Sequence, residues 1–206
     1  MMWRSTTARG RNGGAARTPR SKPSPRPLYQ RCRTMTPKAG KAPSVITYLE
    51  MTEQPTSPPP VPAAKLALLR AERPPVPFYR FLYEQIGRRW QWTERVQMDD
   101  EALAAVIHDE NVEIYVLYAG GAPAGFSELD RRQSPDIELA YFGLMAEFTG
   151  RAFGAHFLRW TVDQAWTHQP ERLWVQASSE DDPHTLSLYQ QSGFVVYDQK
   201  TVESGA

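Results

Sequence analysis

The sequence has a single cysteine, no long apolar run and no acidic residue among its first 49 positions. Cys32 is the only cysteine of 206 residues, so the chain can form no internal disulfide and no cysteine cluster for a metal. No apolar run approaches the roughly 20 residues that cross a bilayer, and the N-terminus lacks the apolar centre of a secretory signal. We therefore expect a cytoplasmic protein that uses no metal and does not enter a membrane.

Charge is divided unevenly along the chain. Up to Leu49 there are eleven Lys or Arg and no Asp or Glu, whereas the remainder has thirteen basic and twenty-three acidic residues. Residues 1–43 are also rich in Pro, Gly and Ser and almost free of aliphatic side chains, which predicts a disordered basic tail before one domain over residues 44–206. Three interpretations of the tail stay open: a transit peptide, an arm that binds nucleic acid, or an over-extended reading frame whose true start is near Met35.

After the tail, apolar periodicity predicts alternating strands and helices. Strands are expected over 45–49, 114–118, 123–129, 137–145, 172–177 and 193–197, and helices over 63–70, 78–86, 99–107, 152–168 and 183–192. No internal repeat is present.

Residues 141–158 change from a strand pattern to a helical pattern in the middle. Between the two patterns lies the sequence Thr-Gly-Arg-Ala-Phe-Gly, residues 149–154. Unpaired backbone N–H groups at a helix N-terminus, together with the helix dipole, can bind phosphate. Gly150 permits a positive φ, and Gly154 permits close approach of a ligand or a strand. An ordinary strand-to-helix connection would have the same pattern, so the motif alone is weak evidence for a phosphate site.

Two local motifs, a loop at residues 149–154 followed by the end of a helix at residues 188–194, resemble motifs of the GNAT superfamily of acetyltransferases. Residues 149–154 are similar to its phosphate loop, although Thr149 replaces a long polar side chain and Ala152 replaces a glycine. Residues 188–194, Leu-Tyr-Gln-Gln-Ser-Gly-Phe, match its last helix without departure. The resemblance covers roughly residues 44–200. It implies an α/β (α+β) GNAT fold: a mixed, mostly antiparallel central sheet flanked by helices, with splayed fourth and fifth strands.

The resemblance also implies acetyl-CoA as co-substrate. In this family the pantetheine arm pairs with main chain at the end of the fourth strand, and backbone N–H groups hold the pyrophosphate. Because the backbone binds the phosphates, an Ala152 that keeps a helical backbone would still permit binding. The implied cofactor-binding residues are Leu144, Met145, Thr149, Gly150, Arg151, Ala152, Phe153, Gly154, Ala155, Asp182 and Tyr189.

Two residues are candidates for proton transfer. By resemblance, the Tyr189 hydroxyl would protonate the departing thiolate, a role that suits a group with a pKa near 10. Glu138 would take a proton from the amine, and strand alternation predicts that its side chain shares a side with Ala140 and Phe142, opposite Leu139. A core tyrosine and a solvated or arginine-paired glutamate are the alternatives.

Weaker candidates complete the predicted site. His156 and His184 are possible bases, although both positions are typical of ordinary surface or capping histidines. The aromatic residues Phe78, Tyr79, Tyr83, Trp90 and Trp92 fall in the region that walls the acceptor cleft in the family, but such residues are more often core.

The predicted function is an N-acetyltransferase in which a primary amine attacks acetyl-CoA directly in a ternary complex. The acceptor would be a small molecule or a peptide, and the protein a monomer or homodimer. An alternative is a GNAT-like domain that binds acyl-CoA without turnover, which the departures at Thr149 and Ala152 motivate. Nucleic-acid binding through the basic tail is a third possibility, and the acidic remainder of the chain argues against it.

Overall fold

The structure is a computed structural model that describes residues 43–57, 62–90 and 92–202. The strands are β1 (Ser44–Met51), β2 (Leu66–Arg70), β3 (Val112–Ala119), β4 (Ala122–Asp130), β5 (Asp136–Leu144), β6 (Arg172–Ser178) and β7 (Val195–Val202). The helices are α1 (Val76–Gly87), α2 (Glu94–Gln97), α3 (Asp100–Ile107), α4 (Phe153–Trp166) and α5 (Thr185–Gln191), with short 3-10 turns at Arg88–Trp90 and Ala146–Phe148. Of the predicted basic tail, residues 1–42, with Cys32 and Met35, lie outside the described residues.

The strands form one seven-stranded sheet in the order β2-β3-β4-β5-β6-β1-β7. All neighbouring strands are antiparallel except β5 and β6, which run parallel. The predicted mixed, mostly antiparallel sheet flanked by helices is therefore confirmed. The N-terminal strand β1 lies between β6 and β7, so it belongs to the half of the sheet that is otherwise built from the C-terminal part of the chain.

One predicted element is wrong. Residues 63–70 were expected to form a helix, but β2 pairs along β3 from Leu66 opposite Ala119 to Arg70 opposite Tyr115. The apolar residues of this segment are compatible with a helix or a strand. The open edge of β3 offers backbone hydrogen bonds to a strand, and a helix this short is only marginally stable alone.

Two apolar clusters cover the two faces of the sheet. On one face, here called the α4 face, Phe157 and Leu158 of α4 pack with Tyr189 of α5 and the inner side chains of β1, β5 and β6. On the other, the α1 face, Tyr79 and Leu82 pack with α3 and with β3, β4 and β5. Helices α1, α3, α4 and α5 are therefore held by burial of one apolar side.

Helix α3 illustrates the local signals that fix these elements. Its N-cap Asp99 accepts a hydrogen bond from the backbone N–H of Ala102 at 2.7 Å, and Asp100 and Glu101 follow in the first turn. Both features stabilise a helix N-terminus. Across residues 43–57, 62–90 and 92–202, no helix has the length and apolarity to cross a membrane. The same part of the chain brings no three His, Cys, Asp or Glu residues together in a way that could hold a metal.

Candidate active site

The parallel strands β5 and β6 separate soon after they begin. They pair only from Asp136 opposite Arg172 to Glu138 opposite Trp174. Beyond that point β5 continues for six residues, to Leu144, along β4 but with no partner on its β6 side among the described residues. The result is a wedge, bounded by the open edge of β5, which exposes main-chain donors and acceptors for an extended ligand.

A β-bulge lies on β5 at the start of this open edge. Leu139 pairs with Leu129 and Tyr141 with Glu128, so Ala140 between them has no partner on β4. The bulge shifts the alternation of side chains. Glu138, between the α4-face residues Ile137 and Leu139, points to the α1 face.

The same bulge corrects one expectation about Glu138. Phe142 was predicted to share its side, but the Phe142 ring lies on the α4 face, 5.4 Å from the Phe157 ring. Ala140 does pack with the α1-face cluster, as expected. Glu138 is 9% exposed and lies at the closed end of the wedge.

The predicted phosphate loop joins the open end of β5 to α4. Gly150 has φ 74° and Ala152 has φ 59°, and α4 begins at Phe153. The backbone N–H of His156 donates to the Ala152 carbonyl at 3.3 Å. The amides of Phe153, Gly154 and Ala155 precede that bond, and such amides at a helix N-terminus are available to an anion.

Ala152 departs from the helical backbone that we expected of it. Its left-handed conformation is one that a non-glycine residue adopts at a cost of roughly 1–2 kcal/mol, which explains why the family pattern has glycine there. Thr149, the other departure, donates its hydroxyl to the Ala146 carbonyl at 2.9 Å. That contact ties the loop to the preceding 3-10 turn, and Arg151 between these residues is exposed.

Gly154 faces the gap between β5 and α5. A Cβ at this position would lie 3.7 Å from the Leu144 side chain and 3.8 Å from that of Leu188. These are ordinary van der Waals distances, so the protein itself has room for a methyl group here. Close packing against neighbouring side chains therefore does not require the glycine.

Tyr189 stands on α5 beside this gap. Its side chain is buried, with ring centroids 6.4 Å from Phe142 and 5.7 Å from Phe194. Tyr189 is thus level with Phe142, inside the open part of the wedge. The structure brings Gly154 close to Leu144 and Leu188 and places Tyr189 against Phe142. Glu138 lies further along β5.

Asp182 has a structural role at the start of α5. Its carboxylate accepts from the backbone N–H of His184 at 2.8 Å, and its carbonyl accepts from that of Thr185 at 2.8 Å. Contact with pantetheine stays a prediction. His184 is the exposed residue before α5, and half-buried His156 lies in the first turn of α4.

Residues 83–206, more than half of the chain, match the family model for the acetyltransferase (GNAT) domain. The chain belongs to the GNAT acetyltransferase family. Family membership supports acetyl transfer as its general activity. A search of curated proteins gave no match.

Solved structures share the GNAT fold at low identity. A GCN5-related N-acetyltransferase from Sphaerobacter thermophilus superposes with a TM-score of 0.57 at 15% identity, over 78% of this chain and 51% of that one. An IAA acetyltransferase from Bacillus cereus gives 0.51 at 19%, over 65% and 79%. An aminoglycoside acetyltransferase from an uncultured soil metagenomic sample gives 0.52 at 16%, over 62% and 87%. The chain spans only 60% of another match, a conserved protein from Staphylococcus epidermidis.

The α1 face of this GNAT domain carries an aromatic cluster. Tyr79 and Tyr83 are fully buried, and Trp92 packs between the rings of Tyr83 and Tyr141 at 5.5 and 5.2 Å. Most of these aromatic residues therefore belong to the hydrophobic core. The sequence analysis gave core packing and an acceptor-cleft wall as the two interpretations, and core packing as the more frequent one. Phe78 and Trp90 are only half-buried.

Beneath the aromatic rings lies a buried ionic contact that sequence reasoning missed. Glu128 on β4 is fully buried, and it accepts from the Tyr79 hydroxyl at 2.5 Å and from Arg95 of α2 at 2.6 Å. Burial, reinforced by the charge of Glu128, raises the pKa of Tyr79 well above its usual value. Burial alone would lower the pKa of Arg95, but the nearby Glu128 carboxylate raises it above the ordinary value. The Arg95 guanidinium therefore keeps its proton in this buried contact.

A signal for this contact was present in the sequence. In the strand predicted over 123–129, Glu128 shares a face with the apolar Phe126, so a charge stands where the pattern calls for a core residue. A charge in that place needs a buried partner. The sequence did not say which of its many arginines that partner would be.

Proposed function

We propose that this GNAT protein transfers an acetyl group from acetyl-CoA to a primary amine by direct attack in a ternary complex. The observation that carries the proposal is the open edge of β5, which the loop of residues 149–154 connects to the N-terminus of α4 and which has Tyr189 of α5 beside it.

Acetyl-CoA suits this arrangement by its chemistry. The two amides of the pantetheine arm can pair with the open edge of β5 near Leu144 and Met145 as an added strand would. The pyrophosphate would then meet the N–H groups of residues 153–155 and the positive end of the α4 dipole. Arg151 adds a positive charge close to that position.

In the proposed step the amine nitrogen bonds to the thioester carbonyl carbon and the carbon–sulfur bond breaks. Tyr189 donates its hydroxyl proton to the departing thiolate, and the amine loses a proton to a base. Glu138 is the base predicted from the sequence. It lies four residues before Phe142, the residue level with Tyr189, so its proton transfer would pass through water.

The alternative function is acyl-CoA binding without turnover. The departures of Thr149 and Ala152 from the family's loop pattern motivate it. Both functions require binding of acyl-CoA, and they differ only in whether the acyl group is transferred to an amine.

Calorimetry with CoA and a thiol-release assay with acetyl-CoA and a panel of amines separate these functions. CoA binding together with thiol release that depends on an amine is the expected result. CoA binding without thiol release for any amine would favour the sensor. Failure to bind CoA would overturn both.

A further inference from the structure

We propose that the ring of Trp174 binds the group next to the acceptor nitrogen, so that the preferred acceptor is a primary amine with an aromatic or flat apolar group. Trp174 would select the acceptor and take no part in proton transfer. This inference rests on the proposed acetyl transfer and names the acceptor class for the same site.

The open part of β5 is covered on the α1 face. Tyr141 is only 5% exposed, and a Cβ at Gly143 would collide with Ile86 of α1 and lie 3.7 Å from the Trp92 ring. An acceptor therefore has no room over β5 on this face. The opposite face is occupied by α4, α5 and the proposed cofactor, so an acceptor must approach the wedge from the side of β6.

The α1 face of β6, β1 and β7, here called the open half-face, lies outside the apolar clusters. The α1-face cluster is built from α1, α3 and strands β3 to β5, and contains no residue of β6, β1 or β7. Along β6 the α4-face residues Leu173, Val175 and Ala177 are buried, whereas the residues between them are half-buried. This alternation is typical of a sheet with one solvated face.

Trp174 lies where the open half-face meets the wedge. It is the β6 residue opposite Glu138, in the last row before β5 and β6 separate, and Glu50 is its neighbour on β1. Its side chain is half-buried but belongs to neither apolar cluster. A large ring that is partly desolvated and packs in no core has apolar surface to offer a ligand.

The other large rings of the open half-face already have partners. Tyr48 and Tyr197 lie 6.1 Å apart, with Lys200 5.0 Å from the Tyr48 ring and Arg172 5.6 Å from the Tyr197 ring. Within residues 43–57, 62–90 and 92–202, Trp174 makes no such ring or cation contact and no side-chain hydrogen bond. Trp174 is therefore the ring of this half-face that is available to an acceptor.

The chemistry of an indole defines the acceptor class. Its face attracts a second planar group through stacking and a cationic amine through the ring quadrupole. An acceptor whose flat group lies on Trp174 at the closed end of the wedge has its nitrogen next to Glu138, the predicted base. The nitrogen then faces along β5 towards the side of the wedge where Tyr189 lies.

Calorimetry with benzylamine, on protein saturated with CoA, tests the proposal without turnover. Trp174→Leu should weaken benzylamine binding roughly threefold to tenfold, the scale of one aromatic contact. Trp174→Phe keeps a ring and should keep most of the affinity. Trp174→Thr is a second replacement that suits a strand, and it should weaken binding as Trp174→Leu does. Because Trp174 packs in neither cluster, the melting temperature should change little in each variant.

Trp166→Leu is the matched control. Trp166 is also half-buried, but it lies on α4, where its Nε1–H donates to the Met51 sulfur at 3.4 Å. The same substitution there should leave benzylamine affinity unchanged.

Each outcome assigns a failure to one claim. Equal benzylamine affinity in wild type, Trp174→Leu and Trp174→Thr, or no benzylamine binding by wild type, overturns the acceptor site. With acetyl-CoA present, Trp174→Leu should raise the KM for benzylamine far more than it changes kcat, and should alter neither constant for methylamine, which has no ring. Equal losses with both amines would contradict a role in selecting the acceptor. Benzylamine binding that depends on Trp174, in a protein that releases no thiol with any amine, would support the site and refute acetyl transfer.

Discussion

At the scale of single residues, Tyr189 is the side chain on which the proposed chemistry depends most. Tyr189→Phe keeps the ring that packs on Phe142 and Phe194 and removes only the proton donor. We expect kcat to fall on the order of 100-fold, the typical contribution of one positioned acid, while the KM for acetyl-CoA stays close to that of wild type. Steady-state kinetics with the best acceptor measure both constants.

Tyr118→Phe is the control for that substitution, because Tyr118 lies on β3 beside the far edge strand β2. It should leave both constants unchanged. Full activity of Tyr189→Phe would mean that the thiolate leaves with a proton from water. Sequence alone could predict a role for Tyr189 because its motif is contiguous, whereas Arg95 and Glu128 are 33 residues apart and only the folded chain pairs them.

At the scale of elements, the start of α4 offers a test of cofactor placement. Gly154→Ala replaces glycine in a helix, which typically adds roughly 0.5–1 kcal/mol of stability, and its methyl group fits between Leu144 and Leu188. If pantetheine occupies that gap, the same methyl group must compete with it. We therefore expect a higher melting temperature together with weaker CoA binding by calorimetry.

Gly154→Val extends the same series with a larger side chain, and CoA affinity should fall further. The same dissociation constant in wild type and both variants would remove the gap next to Gly154 from the binding site. Measuring melting temperature and CoA affinity together also excludes unfolding as the cause of weaker binding, because the Ala variant should lose affinity while it gains stability.

The elements themselves were predictable to different degrees. Strands and helices with a strong period, such as β3 and α4, follow from the sequence because one apolar side is buried. Strand β2 could not be predicted in this way, because its strand conformation depends on pairing with the open edge of β3 rather than on its own five residues. The bulge at Ala140 is likewise a property of two paired strands, and it reverses the side that strict alternation assigns to Phe142.

At the scale of the whole molecule, the placement of β1 makes a prediction about where the folded unit begins. We propose that residues 44–206 form the catalytic domain. Strand β1 pairs with both β6 and β7, and its Leu49 and Met51 are buried in the α4-face cluster. A chain that begins at Met35 retains all of these contacts, and the Pro- and Arg-rich composition of residues 1–34 adds few apolar side chains to any core. Its melting temperature should therefore equal that of the full chain.

A chain that begins at Thr52 is the matched comparison, because it lacks β1 alone among the described strands. Its loss would leave the inner edges of β6 and β7 unpaired and remove Leu49 and Met51 from the core beneath α4. A domain stabilised by only about 5–15 kcal/mol cannot lose an interior strand and stay folded. Circular dichroism on heating should show a cooperative transition for the first truncation and none for the second. A melting temperature several degrees lower for the chain from Met35 would mean instead that residues 1–34 contribute to the fold, and the domain would have to begin before β1.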